Sequence, residues 1–240
     1  MAVSPGQVFH NWWRKAPVTV AIIALNIAVF FACAIQARTL LGDVAFAPIL
    51  QRGQLWGPAL AQDNPLTWWP VLSSAFIHLN LSHLGVNMFM LVFVGTIIEV
   101  ALGSRLFALI YLGGALGASA TILAMDFDAP TVGASGALFA LLVVLVAVYQ
   151  KQHADLRAPA VLLAVNIGYT FIDSGVSVWG HLGGALWGLL LMGAILLRRK
   201  VLWVLVVCLV AAGAVVAVML GIGDNLGVLS TASQGGSYPQ

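Results

Sequence analysis

Long apolar runs separated by short polar segments make up most of this chain. Each run has roughly the length of a membrane-spanning helix, since about 20 mainly apolar residues cross a bilayer core about 30 Å thick. The pattern predicts seven transmembrane helices, the fifth of them short, over residues 17–36, 76–98, 105–125, 134–150, 158–173, 179–197 and 201–221. The predicted fold class is therefore an all-α polytopic membrane protein.

The polar segments predict three regions outside the spans. Residues 1–16 form a cytoplasmic N-terminal segment, and residues 37–75 form a long loop on the outer side. That loop carries three tryptophans, which suit a position among lipid headgroups. Residues 222–240 are polar and rich in Gly and Ser, a composition typical of a disordered tail.

The first apolar run has an alternative interpretation as a signal peptide. Arg14 and Lys15 precede it, and residues 32–34 read ACA, which is similar to a signal-peptidase cleavage site. The apolar stretch is long for the hydrophobic region of a signal peptide. A retained membrane anchor is therefore the prediction.

Composition supports lipid as the solvent of this chain. Hydrophobic residues make up 61% and charged residues 8% of it, and the mean hydropathy is +1.02. A soluble domain carries about 25% charged residues. The small net charge of +2 is dispersed and does not indicate a nucleic-acid partner. Cys33 and Cys208 each lie inside an apolar run, which favours small hydrophobic residues over disulfide partners or metal ligands.

The basic residues orient the predicted spans. With the N-terminus inside, eight Lys and Arg fall on the cytoplasmic side and two outside, in agreement with the positive-inside rule. The eight are Arg14, Lys15, Arg105, Lys151, Arg157, Arg198, Arg199 and Lys200, and the two are Arg38 and Arg52. Seven spans then leave the C-terminus outside. Short loops and no organelle transit signature favour the inner membrane of a bacterium.

Four polar side chains stand out inside predicted spans, where polar groups are costly and usually functional. They are His83, Asn87, Ser135 and His181. His83 and Asn87 are four residues apart and share one helix face.

Three of these side chains are predicted to share one depth. His83, Ser135 and His181 precede the charged residue at the cytoplasmic end of their spans by 16, 16 and 17 residues. At 1.5 Å per residue they lie roughly 24–26 Å above those ends, close to the outer surface. The charged markers are Glu99, Lys151 and Arg198.

The chemistry of this layer favours a nucleophilic serine. A serine hydroxyl needs an adjacent base, and neutral histidine is the usual base near pH 7. An acyl-transfer intermediate needs oxyanion donors, which His83, Asn87 and the Ser135 amide would supply. Gly133 and Gly136 remove side chains where a substrate backbone must approach.

Simpler interpretations exist for each residue taken alone. Ser135 is by itself more often an N-cap or a small packing residue. The histidines and Asn87 also serve as interhelical hydrogen-bonding residues. Asp173 is interpreted as an interfacial or helix-end residue rather than a third catalytic group. The joint pattern favours the site.

Small residues recur at four-residue spacing in two spans. Gly113 and Gly117 lie in the third span, and Gly180, Gly184 and Gly188 in the sixth. Such ridges allow helices to approach closely, and they occur in many polytopic proteins.

Three motifs in this order make the sequence resemble the rhomboid family of intramembrane serine proteases. They are HLGVN in the second span, GASG at the head of the fourth and GHLGG in the sixth. The long tryptophan-rich first loop and GGALG in the third span add to the resemblance, which covers residues 17–197.

The resemblance implies a six-helix rhomboid protease core with a seventh helix added over residues 198–221. It implies that Ser135 is the nucleophile, that His181 is its base in a dyad without an acid, and that His83 and Asn87 stabilise the oxyanion. Gly184 would let the sixth helix pack against the fourth, and no metal or cofactor is implied. The implied partners are membrane-protein substrates and the lipid bilayer.

His78 matches a histidine often found in the family, which would organise the first loop or its water. Two departures from the family pattern concern supporting positions. A Trp-Arg pair common in the first loop reads Trp69-Pro70 here, and a tyrosine common beneath the catalytic histidine is Phe139.

Two rival functions remain at this stage. A rhomboid-like binder without protease activity usually lacks the serine or the histidine, and both are present here. A small transporter would line a polar path with His83, Asn87 and His181. That rival would be favoured by broken helices in paired halves, which the sequence does not contain.

Overall fold

The computed structural model describes residues 12–62, 68–173 and 175–196 of the 240-residue chain. In these ranges the secondary structure is helical apart from one isolated antiparallel bridge between Leu55 and Thr131. The predicted all-α fold class is confirmed. The predicted seventh helix and polar tail lie outside the described residues.

Helix α1 (Pro17–Ala37) corresponds to the first predicted span. It begins with a proline at a position where the missing N–H costs no hydrogen bond and the fixed φ favours a helix. It ends at Arg38, which has a left-handed φ of 55° and donates its backbone N–H to the last turn.

The outer loop contains three short helices, α2 (Pro48–Gly53), α3 (Gly57–Gln62) and α4 (Pro70–Ser73). Pro70 stands at the first position of α4, so the proline that departs from the family pattern starts a helix here. The Ser73 hydroxyl donates to the Gly53 carbonyl at 2.9 Å and ties α4 to α2.

Helix α5 (Leu81–Leu102) is the second span and includes a π-helical turn over Leu91–Gly95. The predicted start at residue 76 is wrong by five residues, because the chain is extended at Asn80. The Asn80 side-chain oxygen accepts from the His83 N–H at 2.9 Å and caps the helix.

The start of α1 and the end of α5 meet at Glu99. Its carboxylate accepts hydrogen bonds from the Val18 and Thr19 N–H groups at 3.0 and 2.7 Å, and from the Thr19 hydroxyl at 2.7 Å. Free N–H groups at a helix start carry partial positive charge, which the carboxylate neutralises. Glu99 is 1% exposed, so the charge used as a marker of the membrane surface is buried.

Helix α6 (Ser104–Met125) follows, and α7 (Ser135–Lys151) is the most central helix of the described fold. Twelve of its 17 residues are buried. Helices α8 (Arg157–Thr170) and α9 (Val178–Leu196) correspond to the fifth and sixth predicted spans. The predicted fifth span ended at residue 173, three residues beyond the observed helix.

Glycines let α6, α7 and α9 approach closely. A Cβ at Gly184 would overlap the Gly136 carbonyl oxygen, and a Cβ at Gly117 would overlap the Trp187 indole. At Gly188 a Cβ would lie 2.7 Å from the Ala140 carbonyl oxygen. The backbones of α7 and α9 are therefore in direct contact.

Within the described ranges, three helices are long and apolar enough to cross a membrane by length and composition alone. These are α1, α5 and α6. Two shorter apolar helices cover Ser135–Lys151 and Val178–Gly193. With the composition of the whole chain, they make this an integral membrane protein.

Candidate active site

Ser135 is the first residue of α7, and its side chain does not cap the helix. The cap position is occupied by Ala134. Ser135 is half-buried, and its hydroxyl has no hydrogen bond within 3.5 Å in the part of the chain that the structure describes. The interpretation of Ser135 as an N-cap is therefore wrong, and the hydroxyl is available for other chemistry.

The segment before Ser135 is anchored to the outer loop. Thr131 and Leu55 exchange backbone hydrogen bonds at 2.8 and 2.9 Å, and the Gly133 N–H donates to the Ser74 carbonyl at 2.9 Å. These bonds fix the backbone that leads into α7. The position of Ser135 therefore depends on the loop as well as on its own helix.

Gly133 keeps open a space between Ser135 and His83. Its φ is +130°, a conformation that other residues rarely adopt. A Cβ at this position would lie 2.7 Å from His83 Nε2 and 3.7 Å from Ser135 Oγ. The histidine ring and the serine hydroxyl thus border the same small volume.

Asn87 lies one turn further along α5, on the same face as His83. It is 4% exposed, and its Nδ2 donates to the His83 carbonyl at 2.8 Å. An amide nitrogen carries two hydrogens, so a second donor remains for another acceptor.

His181 enters the site from the first turns of α9 and is 4% exposed. Its imidazole stacks on the Phe139 ring, with centroids 4.2 Å apart and planes at 14°. Phe139 is one turn beyond Ser135 on α7. The stack therefore holds the imidazole beside the first turn of the helix that carries the serine.

Thr170 is the residue of this cluster that the sequence analysis missed. It ends α8, is 1% exposed, and its Oγ1 lies 2.8 Å from His181 Nδ1. The same oxygen is 2.9 Å from the Asn166 carbonyl oxygen. Nothing in the sequence marks this threonine, because none of the three motifs contains it.

His78 packs behind His83 in an edge-to-face arrangement, with ring centroids 4.9 Å apart. It is fully buried, and neither ring nitrogen has a hydrogen-bond partner among the described residues. The adjacent Leu79 carbonyl accepts from the Val44 N–H at 2.8 Å. His78 thus lies where the outer loop joins the site.

Asp173 makes local contacts after the end of α8. It accepts from the Tyr169 hydroxyl and, at 2.8 Å, from the Gly175 N–H. The structure gives the His181 Nδ1 atom a different partner, Thr170. The interpretation of Asp173 as a helix-end residue agrees with these contacts.

A cavity of about 20 Å³ adjoins Ser135. Most of its walls are small side chains, including Ala115, Ala118, Ser119, Ser177 and Gly180. This volume is enough for about one water molecule. In the described ranges, no group of three His, Cys, Asp or Glu side chains is arranged to hold a metal ion.

The polar groups therefore converge from four helices. The Ser135 hydroxyl and the His83 imidazole border the space left by Gly133, with the Asn87 amide one turn along the same helix as His83. The His181 imidazole is stacked on Phe139, beside the first turn of α7. Hydroxyl, imidazole and amide groups are the kinds of group from which an acyl-transfer site is built.

Comparison with known proteins gives one family model and several relatives. The Rhomboid domain model matches residues 65–199. The chain is similar to Rhomboid protease GluP of Bacillus subtilis (strain 168), with 33% identity over 75% of this chain and 35% of that protein. It is also similar to RHOMBOID-like protein 2 of Arabidopsis thaliana, with 29% identity over 83% of this chain and 72% of that protein.

A human relative, Rhomboid-related protein 3, is 24% identical over 81% of this chain and 54% of its own length. The chain thus spans about a third of GluP and about half of the human protein.

Proposed function

Because the chain belongs to the rhomboid family, we propose that it is an intramembrane serine endopeptidase with a Ser135–His181 dyad. One observation carries the proposal. The unbonded Ser135 hydroxyl and the His181 ring, stacked on Phe139 one turn away, border the first turn of α7. A transporter would not require a nucleophile and a base on two packed helices.

In the acylation step, Ser135 Oγ attacks the scissile carbonyl carbon while His181 Nε2 accepts the hydroxyl proton. The C–N bond then breaks, and His181 gives the proton to the leaving amine. Water then attacks the carbonyl carbon of the acyl-enzyme while His181 accepts its proton. The ester bond to Ser135 breaks, Ser135 Oγ regains the proton, and the second product is released. Catalytic hydrogen bonds are often long without substrate, which accounts for the free hydroxyl of Ser135.

The oxyanion that forms in each step needs donors aimed at one point. His83 Nε2, the second N–H of Asn87 and the Ser135 backbone N–H are the proposed donors. The start of α7 adds the positive end of a helix dipole. Gly133 leaves the space that the substrate carbonyl would occupy.

The proposed orientation places this site near the outer face of the membrane. The N-terminus is cytoplasmic and the C-terminus outside, as the distribution of basic residues favours, in what we take to be a bacterial inner membrane. The contact of Glu99 with the start of α1 supports a shared cytoplasmic level for both helix ends. Ser135 and His83 lie near the N-terminal ends of α7 and α5, which are the ends away from the cytoplasm in this orientation.

The proposed substrates are transmembrane segments of membrane proteins. A helical backbone is shielded by its own hydrogen bonds, so a segment must unwind locally before Ser135 can attack it. The small cavity beside Ser135 supports a preference for small side chains at the cleavage position. The proposed protease core is the six-helix unit over residues 17–197.

Reconstitution in lipid vesicles with a model single-span substrate tests the proposal. The wild type is expected to cut the substrate, whereas Ser135→Ala and His181→Ala are not. Wild-type Ser135 should also be labelled by a fluorophosphonate, in a reaction that needs His181. Equal cleavage by Ser135→Ala would exclude the proposed function, and substrate binding without any cleavage would favour an inactive membrane-protein binder.

A further inference from the structure

Helix α8 buries few of its side chains against the rest of the described protein. Of its 14 residues, only Pro159 and Thr170 are buried, while Val161 and Val165 are more than 60% exposed. Thr170 is thus the one buried side chain of α8 that carries a polar group, and that group contacts His181.

The two contacts of Thr170 Oγ1 decide which way the hydrogen bonds run. A hydroxyl has one proton and two acceptor lone pairs. Thr170 Oγ1 donates that proton to the Asn166 carbonyl at 2.9 Å, as helix threonines often do. At His181 Nδ1, 2.8 Å away, the oxygen must then accept, so the imidazole nitrogen carries the hydrogen.

A neutral imidazole has one protonated nitrogen, so hydrogen on Nδ1 leaves the lone pair on Nε2. That tautomer is the one in which Nε2 can take the proton of a serine. A base is commonly oriented by a third group, and a carboxylate usually has this role. Here a neutral hydroxyl on a neighbouring helix has the geometry for it.

We propose that Thr170 is a positioning residue that holds His181 in the Nδ1–H tautomer and so prepares Nε2 to act as the base. The inference rests on the proposed function of His181. It also links the base to the docking of α8, since a movement of the end of this helix away from α9 breaks the bond.

The test compares three variants in vesicles with the same model substrate. Thr170→Val keeps the shape and removes the acceptor, Thr170→Ser keeps the hydroxyl, and Thr121→Val is the matched control. Thr121 makes the same bond to the carbonyl four residues earlier, at 2.9 Å, whereas the hydrogen bond to His181 is made by Thr170.

Thr170→Val should lower kcat about tenfold with little change in KM, because a buried N–H loses its acceptor. Thr170→Ser should stay within about threefold of the wild type, and Thr121→Val within about twofold. An equal loss in Thr170→Val and Thr121→Val would mean a structural effect and would overturn the inference. Unchanged kcat in Thr170→Val would do so as well.

Nitrogen-15 NMR of histidine-labelled protein provides a readout independent of cleavage. The His181 signal, assigned with His181→Ala, should report hydrogen on Nδ1 in the wild type and in Thr170→Ser. A mixture of tautomers is expected in Thr170→Val. Hydrogen on Nε2 in the wild type would overturn the inference. If the wild type does not cleave, the proposed function fails, and the tautomer still decides the role of Thr170.

Discussion

The imidazole of His181 lies flat on the ring of Phe139, with centroids 4.2 Å apart and an angle of 14° between the planes. This contact joins α7 to α9 at the position where the proposed base must be held. The ring needs no hydroxyl for this role, since Thr170 supplies the polar contact to His181 from another side.

Replacing the aromatic platform should impair catalysis more than folding. Phe139→Leu removes a ring stack worth about 0.5–1.5 kcal/mol and should lower kcat about threefold to tenfold. Phe93→Leu is the control, because Phe93 is 55% exposed and pairs with Phe89 on α5. Initial cleavage rates of a model substrate in vesicles measure the effect. A loss of the same size in Phe93→Leu would contradict it.

The contact between α7 and α9 should be sensitive to a single methyl group. Gly184→Ala forces a Cβ into the Gly136 carbonyl oxygen and should lower the free energy of unfolding by about 1–3 kcal/mol. Gly193→Ala on the same helix is the control, since nothing lies within 4 Å of its Cβ. Thermal unfolding in detergent compares the two, and equal Tm values would show that the helices separate easily.

The close packing of α9 on α7 could be predicted from the sequence, because glycines at four-residue spacing commonly allow helices to approach closely. The start of α7 was also predictable to one residue, from GASG at the head of an apolar run. The start of α5 was not, because hydropathy continues through Phe76 and Ile77. The Asn80 cap, a local hydrogen bond, decides where that helix begins.

Contacts between distant segments explain the other differences. Thr170 reaches His181 only because α8 and α9 are packed together, and hydropathy carries no information about that pairing. Glu99 was interpreted as a charge at the membrane surface, whereas its partners are N–H groups 80 residues away in sequence. An acidic residue at the end of an apolar run is consistent with both positions.

Glu99 should therefore act as a structural link. Glu99→Ala leaves two N–H groups and one hydroxyl at the start of α1 without their acceptor and should cost about 3 kcal/mol of unfolding free energy. Asp128→Ala, at an exposed position, should change it by less than about 0.5 kcal/mol. Unfolding in detergent measures both. Glu99→Ala with wild-type stability would exclude a capping role.

The cavity beside Ser135 should limit the side chain at the cleavage position. A space that holds about one water molecule, bordered mainly by alanines, serines and glycines, favours a methyl group over an aromatic ring. Model substrates that differ only at this position should be cut at least tenfold faster with Ala than with Phe. A panel of such substrates, assayed below KM, measures the ratio of kcat/KM. Equal kcat/KM values for the Ala and Phe substrates would mean that this cavity does not bind the side chain at the cleavage position.

Asn87 allows a controlled test of the proposed oxyanion site, because Asn26 makes the same kind of hydrogen bond in another helix. Asn87 and Asn26 are both buried, and each donates Nδ2 to the carbonyl four residues earlier at 2.8 Å. Asn87→Ala should lower kcat about 100-fold to 1,000-fold, since one oxyanion donor contributes roughly 2.7–4 kcal/mol.

Asn26→Ala removes the same helix bond on α1, away from Ser135, and should affect stability while kcat per folded molecule stays within about twofold. Cleavage rates normalised to the folded fraction, measured by unfolding in detergent, separate the two effects. If both variants lose kcat equally, Asn87 serves the helix and not the oxyanion. A loss confined to Asn87→Ala, and smaller than that of Ser135→Ala, is the result that a donor predicts.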